Sequence, residues 1–444
     1  MKVIIIGGIA AGMSAAAKLR RISKEAEITV YEKKSYVSFG ACGLPYYIGN
    51  FFEEHERMLV RKPEQVIESG VQLHTEHEVL RVDIKEKKIV VKNLVTKEEF
   101  EDSYDKLMIA TGASAVLPPV KGLEYDNVHV LRSLEDGFAV KEQLTSKEVQ
   151  RVGIIGAGFI GLEVAEAVKH LGKEAIVFQL EDRVLKETFD QEITDVIEAE
   201  LQESGVELHL NTKVMELRGE QRAHTVVTDQ GEVFVDFVIV ATGVRPNTAF
   251  LQSTGIQMLK NGAIIIDEEG RTSIEDIYAA GDCATVPHML KDTPAYIPLA
   301  TTANKLGRIV GENLAGNHLK FEGTLGSGCV KVLGVEAGRT GLSEKEAKDL
   351  GLDYKTAFIT DKNHTDYFPG QEKLSVKLIY DAKTKVILGG QTIGVSDAVL
   401  RTNVIATAIT AKMTTTQLGM LDLCYAPPFS RTWDVLNVAG NVAK

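Results

Sequence analysis

Lys2-Val3-Ile4-Ile5-Ile6-Gly7-Gly8-Ile9-Ala10-Ala11-Gly12 is an apolar run that breaks into glycines and gives way to the alanine-rich Met13-Ser14-Ala15-Ala16-Ala17. It returns as Arg151-Val152-Gly153-Ile154-Ile155-Gly156-Ala157-Gly158-Phe159-Ile160-Gly161, followed by Leu162-Glu163-Val164-Ala165-Glu166. A short apolar run bounded by glycines reads as a strand buried on both faces. The segment after each turn is made of strong helix formers. Small residues in the turn let the backbone approach a pyrophosphate, whose charge meets N–H groups at the helix N-terminus.

Each unit continues as a Rossmann βαβ does. The first copy's second strand, Ile28-Thr29-Val30-Tyr31-Glu32, ends in an acid roughly 20 residues past Gly12, as ribose binding requires. That copy carries Ile9 at the middle glycine position of GxGxxG, whereas the second has Gly156, Gly158 and Gly161. The second copy's strand, Ala175-Ile176-Val177-Phe178-Gln179, ends in an amide. No arginine is adjacent to it, Arg183 lies four residues on, and Glu181 is an alternative ribose partner; NADH and NADPH both stay open. Ala110-Thr111-Gly112-Ala113 and Ala241-Thr242-Gly243-Val244 each follow a buried-strand pattern and read as crossings between nucleotide domains. Thr272-Ser273-Ile274-Glu275-Asp276-Ile277-Tyr278-Ala279-Ala280-Gly281-Asp282 resembles a second flavin motif, whose acid accepts a hydrogen bond from the ribityl chain, and Asp282 equally suits the cap of a following helix.

At 444 residues the chain calls for several domains. Its 44% hydrophobic and 25% charged shares are those of a globular protein, and a formal charge of −12 argues against nucleic acid as a general partner. The first apolar run is too short for a signal peptide, and no run reaches the ~20 residues that cross a bilayer. The cysteines at 42, 283, 329 and 424 have neither CxxC nor zinc spacing, so no metal is expected and a reducing, cytoplasmic setting fits. Cys283 and Cys329 read as small buried hydrophobes, and strand alternation would turn Cys424 away from Tyr425.

Cys42 stands in Ser38-Phe39-Gly40-Ala41-Cys42-Gly43-Leu44-Pro45-Tyr46-Tyr47 with no second cysteine nearby. Any disulfide it forms in turnover is then with a small thiol from outside.

The order of these motifs resembles that of the pyridine nucleotide–disulfide oxidoreductases over essentially the whole chain. The resemblance implies an α/β protein with two Rossmann-like domains, for FAD and NAD(P), and a C-terminal α+β domain that forms a homodimer. The FAD domain is expected at 1–117 and 247–322, the NAD(P) domain at 118–246 and the dimerisation domain at 323–444. Strand-like runs at 373–380 and 386–390 and a helix around 396–411 are expected in the last.

Dithiol members carry a second cysteine five positions on, here Tyr47. Among the single-cysteine branches, the Cys42 segment is most similar to coenzyme A-disulfide reductases, although many members have Asn where this chain has Ala41. Tyr425-Ala426-Pro427-Pro428-Phe429-Ser430 and Asp366-Tyr367-Phe368-Pro369-Gly370 match the same branch, which implies that Tyr425 and Tyr367 assist Cys42 of the partner subunit. NADH oxidases and peroxidases usually carry a histidine at the position of Ala10. The resemblance thus implies reduction of coenzyme A disulfide through a Cys42–coenzyme A mixed disulfide, with an oxidase or peroxidase using a Cys42 sulfenic acid as the alternative. An electron-transfer reductase serving a protein partner fits less well.

It further implies FAD contacts at Gly7, Gly8, Ile9, Ala10, Ala11, Gly12, Glu32, Lys33, Val79, Thr111, Gly112, Asp282, Ala300 and Thr301. NAD(P) contacts fall at Gly156, Gly158, Phe159, Ile160, Gly161, Glu163, Gln179 and Gly243. Ser14, Lys18, Arg21, Ser38 and Asn304 are the implied substrate contacts. Lys18 and Arg21 equally suit the C-terminal dipole of the first helix.

Overall fold

The computed structural model describes all 444 residues and divides into two compact units. The first comprises Met1–Leu44, Phe52–Val116 and Val244–Thr324. Its centre is a five-stranded sheet in the order Ile277–Ala279, Lys106–Ile109, Lys2–Ile6, Glu27–Tyr31, Gln72–His74, parallel throughout. Val3, Ile4 and Ile5 are fully buried there, which is why the central strand has no polar face. An antiparallel meander, His77–Asp83, Lys88–Asn93 and Glu99–Ser103, accompanies it.

The helix Ala10–Ile22 packs on the helix Ala300–Leu314 with almost nothing between the backbones. A Cβ on Gly307 would come within 2.4 Å of the Ala11 carbonyl oxygen, and one on Gly311 within 2.6 Å of that of Ala15. The two crossing strands, Ala113–Ala115 and Val244–Pro246, pair antiparallel with each other.

The second unit comprises Pro45–Phe51, Leu117–Gly243 and Leu325–Lys444. Its parallel sheet runs Glu207–His209, Glu174–Phe178, Arg151–Ile155, Phe237–Val240, Val128–Val130, again with a three-stranded antiparallel meander, Val214–Gly219, Ala223–Thr228 and Gly231–Phe234. The internal repeat therefore covers a whole sheet and its meander, well beyond the glycine turns.

The C-terminal part of this unit is an antiparallel sheet in the order Gly328–Val332, Val335–Gly341, Ile387–Gly394, Lys373–Asp381, Tyr354–Lys362. The expected runs at 373–380 and 386–390 are its strands Lys373–Asp381 and Ile387–Gly394, and the expected helix is Ala398–Thr410. Lys377 is buried between three carboxylates, at 3.3 Å from Asp190, 2.8 Å from Glu192 and 2.7 Å from Glu344. It ties the C-terminal sheet to the segment that follows the strand Glu174–Phe178.

Two cysteine expectations fail. Cys329 is exposed, because it shares the outer face of an edge strand with Lys331 while Val330 and Val332 point inward. Cys424 is also exposed, and Leu421–Ala426 forms no strand, so alternation does not govern its direction. Cys283 is fully buried, as expected. No helix is long and apolar enough to cross a membrane.

Candidate active site

In the first loop Gly7 has φ +106°, and a Cβ there would lie 2.2 Å from the Ala110 carbonyl oxygen. A Cβ on Gly12 would lie 1.9 Å from the Gly7 oxygen. Only hydrogens fit at either place. The Gly8 N–H donates to Glu32 Oε2 at 2.6 Å and the Lys34 N–H donates to Glu32 Oε1 at 2.8 Å, so the acid at the strand end braces the loop. Burial pushes the Glu32 carboxyl above its ordinary range, and these N–H donors pull it back.

The helix starting at Ala10 has no side-chain cap, so its first N–H groups face outward, as a pyrophosphate needs. Gly281 brings Asp282 to the same place: a Cβ on Gly281 would sit 3.1 Å from Ala11 Cβ. Thr111 Oγ1 donates to the Asn247 carbonyl at 2.8 Å, and the Asn247 N–H donates to the Gly112 carbonyl at 3.0 Å. Ala300 and Thr301 are exposed at the uncapped start of their helix. Val79 is buried, and Lys33 is exposed and paired with Glu78 at 2.7 Å. The close glycine approaches, the uncapped helix and the buried acid together fit the adenosine diphosphate portion of FAD.

The second loop repeats the skeleton. Gly156 has φ +108° and a Cβ there would lie 2.5 Å from the Ala241 oxygen; a Cβ on Gly161 would lie 1.9 Å from the Gly156 oxygen. Gly158 is exposed with open space where its Cβ would be, and Phe159 and Ile160 follow it half-buried. The Ala157 N–H donates to Gln179 Oε1 at 2.9 Å. Gly243, φ +112°, is exposed. Burial, reinforced by Glu166, pushes the Glu163 carboxyl up to about 7.

Cys42 is exposed in the tight turn Ala41–Gly43, which runs into the helix Leu44–Ile48. Its loop is fastened to the first glycine loop: Ser38, held at φ +52°, donates its N–H to the Gly8 carbonyl at 2.9 Å. The Ser38 carbonyl accepts from Val60 at 3.0 Å, and Gly40 donates to Met58 at 2.8 Å. Cys283, by contrast, has its thiol pushed up to about 11 by burial and is held as a thiol.

Of the expected substrate contacts, Ser14 donates to Asn304 Oδ1 at 2.8 Å, so these two meet. Lys18 is ion-paired with Glu312 with both side chains largely buried, and Arg21 is exposed at the helix end.

Tyr367 and Tyr425, 58 residues apart in sequence, share a hydrogen bond between their hydroxyls at 2.9 Å while staying 69% and 43% exposed. That bond holds the Tyr425 phenol above its ordinary range. They belong to the second unit and Cys42 to the first.

Sequence reasoning missed what carries the tyrosine pair. Buried Arg401 bonds Asp434 Oδ2 at 2.7 Å and donates to the carbonyls of Asn363 and Phe429, each at 3.2 Å. Thr365 Oγ1 donates to the Pro427 carbonyl at 3.1 Å. Both tyrosine loops thus hang from one guanidinium. The readable signal was an arginine inside the apolar stretch Ala398-Val399-Leu400-Arg401, since a buried charge demands a partner.

A family model described as pyridine nucleotide-disulphide oxidoreductase matches residues 1–307, and the dimerisation domain of the same description matches 328–435. An NAD(P)H coenzyme A polysulfide/persulfide reductase of Pyrococcus horikoshii is 38% identical over 444 residues, covering 100% of this chain and 98% of the relative. A coenzyme A disulfide reductase of Staphylococcus aureus is 32% identical over 446 residues, covering 100% of both chains. The structure of the water-forming NADH oxidase from Lactobacillus brevis bound to NADH matches with TM-score 0.95 and 32% identity, over 99% of this chain and 97% of that one.

Proposed function

The chain belongs to the pyridine nucleotide–disulphide oxidoreductases, and from that premise we propose that it reduces coenzyme A disulfide through a Cys42–coenzyme A mixed disulfide. It is an FAD- and NAD(P)H-dependent oxidoreductase with an α/β fold and a C-terminal dimerisation domain. The observation that carries the substrate reading is the exposed Cys42, in a loop tied by Ser38 to the first glycine loop, with Tyr47 where a second cysteine would stand.

Residues 1–117 with 247–322 hold FAD through the first loop, Glu32 and Asp282, and 118–246 hold the nicotinamide nucleotide through the second loop and Glu163. When bound, FAD accepts hydride from NAD(P)H and returns two electrons to sulfur. The mixed disulfide at Cys42 takes two electrons and one proton, which breaks its S–S bond, releases one coenzyme A thiol and leaves the Cys42 thiolate. That thiolate attacks coenzyme A disulfide, re-forming the mixed disulfide and expelling a second thiolate, which takes up a proton. In a homodimer, the hydrogen-bonded Tyr367 and Tyr425 orient substrate at the Cys42 of the partner subunit and supply that proton. Ser14, Asn304 and Arg21 line the coenzyme A path; Lys18 serves there by exchanging Glu312 for a phosphate.

The likeness to the Pyrococcus horikoshii enzyme favours a second substrate of the same chemistry, a coenzyme A persulfide, whose S–S bond accepts the same attack.

The test is anaerobic turnover with excess NAD(P)H. Coenzyme A disulfide or persulfide should exceed glutathione disulfide in kcat/KM by at least about 100-fold. Cys42→Ser should abolish that turnover and keep flavin reduction by NAD(P)H, because the half-reactions are separate. Oxygen consumed with a higher kcat/KM than any disulfide would establish the oxidase reading instead.

A further inference from the structure

We infer that the C-terminal sheet shapes the nicotinamide-nucleotide site: Arg339 and Gln391 are positioning residues that hold the second glycine loop through Leu185. This rests on the second glycine loop being that site and is independent of the sulfur substrate.

Both glycine loops are held from outside in the same way. In the first, the Ser38 N–H reaches the Gly8 carbonyl; in the second, Leu185, at φ +48°, donates its N–H to the Ala157 carbonyl at 3.0 Å. Gly8 and Ala157 are each the residue after the first glycine. A leucine in the left-handed region is strained, and persists only where its surroundings hold it there. The Leu185 carbonyl accepts from the Thr188 N–H at 2.8 Å and from the Phe189 N–H at 3.0 Å, which closes the turn that leads into Asp190.

The C-terminal sheet grips that turn at its end. Arg339, Gln391 and Lys377 stand in register on the neighbouring strands Val335–Gly341, Ile387–Gly394 and Lys373–Asp381, so their side chains share one face. All three are buried, and all lie in the same unit as the turn. Arg339 Nη1 donates to the Thr188 carbonyl at 2.9 Å. Gln391 Oε1 accepts from the Asp190 N–H at 2.8 Å, and its Nε2 donates to Asp190 Oδ2 at 2.8 Å. Arg339 Nη2 is itself fixed, by the Gly341 carbonyl at 2.8 Å and by Glu346 at 2.6 Å.

A row of three polar side chains inside a sheet is costly unless each is paired. Here each finds a partner between Thr188 and Glu192. The bonds run from Arg339 to Thr188, on to Leu185 and then to Ala157, so the sheet fixes the backbone that a pyrophosphate must approach. A row that only joined two parts of the chain would contribute to stability without changing how a nucleotide binds.

The experiment titrates the FAD-loaded protein with ADP, a probe of the nucleotide corner alone, and follows anaerobic flavin reduction by NAD(P)H. Arg339→Met and Gln391→Met each remove one grip on the turn. Each should weaken ADP, and raise the NAD(P)H concentration for half-maximal flavin reduction, at least about tenfold, while the limiting rate stays within about threefold and the flavin content is unchanged. A yellow, folded variant of either kind with a lower unfolding midpoint but unchanged ADP affinity overturns the proposal. The unmodified protein offers a measurement that needs no variant: the Leu185 and Asp190 amides should exchange with deuterium at least about 100-fold more slowly than in a free chain. Exchange at the free rate overturns the proposal as well. Failure of ADP to bind the unmodified protein removes the site assignment and the proposal with it, whereas a dead Cys42 half-reaction with normal flavin reduction touches only the sulfur reading.

Discussion

In the first glycine loop the hydrogen of Gly7 faces the Ala110 carbonyl, in the second that of Gly156 faces the Ala241 carbonyl, and in both the third glycine lies where a Cβ would come within 1.9 Å of the first glycine's oxygen. Those shared positions are the ones where backbone meets backbone. The differences lie on the ligand side: Ile9 against Gly158, Glu32 against Gln179, and Ser14 against Glu163, each two residues past the third glycine. Ser14 is satisfied by Asn304, while Glu163 sits beside Glu166 and is driven toward its neutral form. The skeleton is fixed by backbone packing on backbone, and the periphery is where the two copies are free to differ.

The strongest way to break this equivalence is to fill both third glycines. Gly12→Ala should yield protein with less than about a tenth of its flavin, whereas Gly161→Ala should stay yellow and slow flavin reduction by NAD(P)H at least about 100-fold. Flavin absorbance per protomer and stopped-flow reduction read the two effects; a fully flavinylated Gly12→Ala protein would sever the parallel.

Next in size is the contrast at Glu163. Its folded value of about 7 lies above the ordinary 4.5, so between those values the folded protein keeps a proton that the unfolded chain has released. Stability should therefore fall as pH rises from 4.5 to 7 and level off above, by up to about 3 kcal/mol for this group. Urea midpoints of wild type minus Glu163→Gln isolate the fall, and the same difference for Ser14→Ala should be flat. A flat Glu163→Gln difference removes the contrast.

The smallest effect concerns the braces. Glu32→Gln keeps one acceptor oxygen for two backbone donors, and should weaken FAD by about 1–2 kcal/mol, roughly tenfold in Kd, measured by flavin release. Unchanged retention would mean that the charge at the strand end is irrelevant to the first loop.

Local pattern made the repeat visible, because glycine turns, apolar strands and strand-end residues are set by neighbours in sequence. The helix Ala398–Thr410 and its preceding strands were legible for the same reason. Lys18 shows the limit: its spacing from Ser14 gave the helix face, but nothing near it announced Glu312 as its partner. The Tyr367–Tyr425 bond and its Arg401 anchor are likewise long-range pairings. Cys329 was readable and missed, since Cys329-Val330-Lys331-Val332 alternates.

The bare contact of the helices Ala10–Ile22 and Ala300–Leu314 sets an order of assembly. The helix that the first loop opens, Ala10–Ile22, is backed by Gly307 at Ala11 and by Gly311 at Ala15, so its final support leaves the ribosome almost 300 residues later. Contacts of such separation close slowly, and domains otherwise tend to form from the N-terminus as they emerge. In this chain the sheet behind the second glycine loop, whose strands all lie between Val128 and Val240, is complete before the first. During synthesis, the second copy of the repeat can therefore close its sheet while the first still waits for its backing helix.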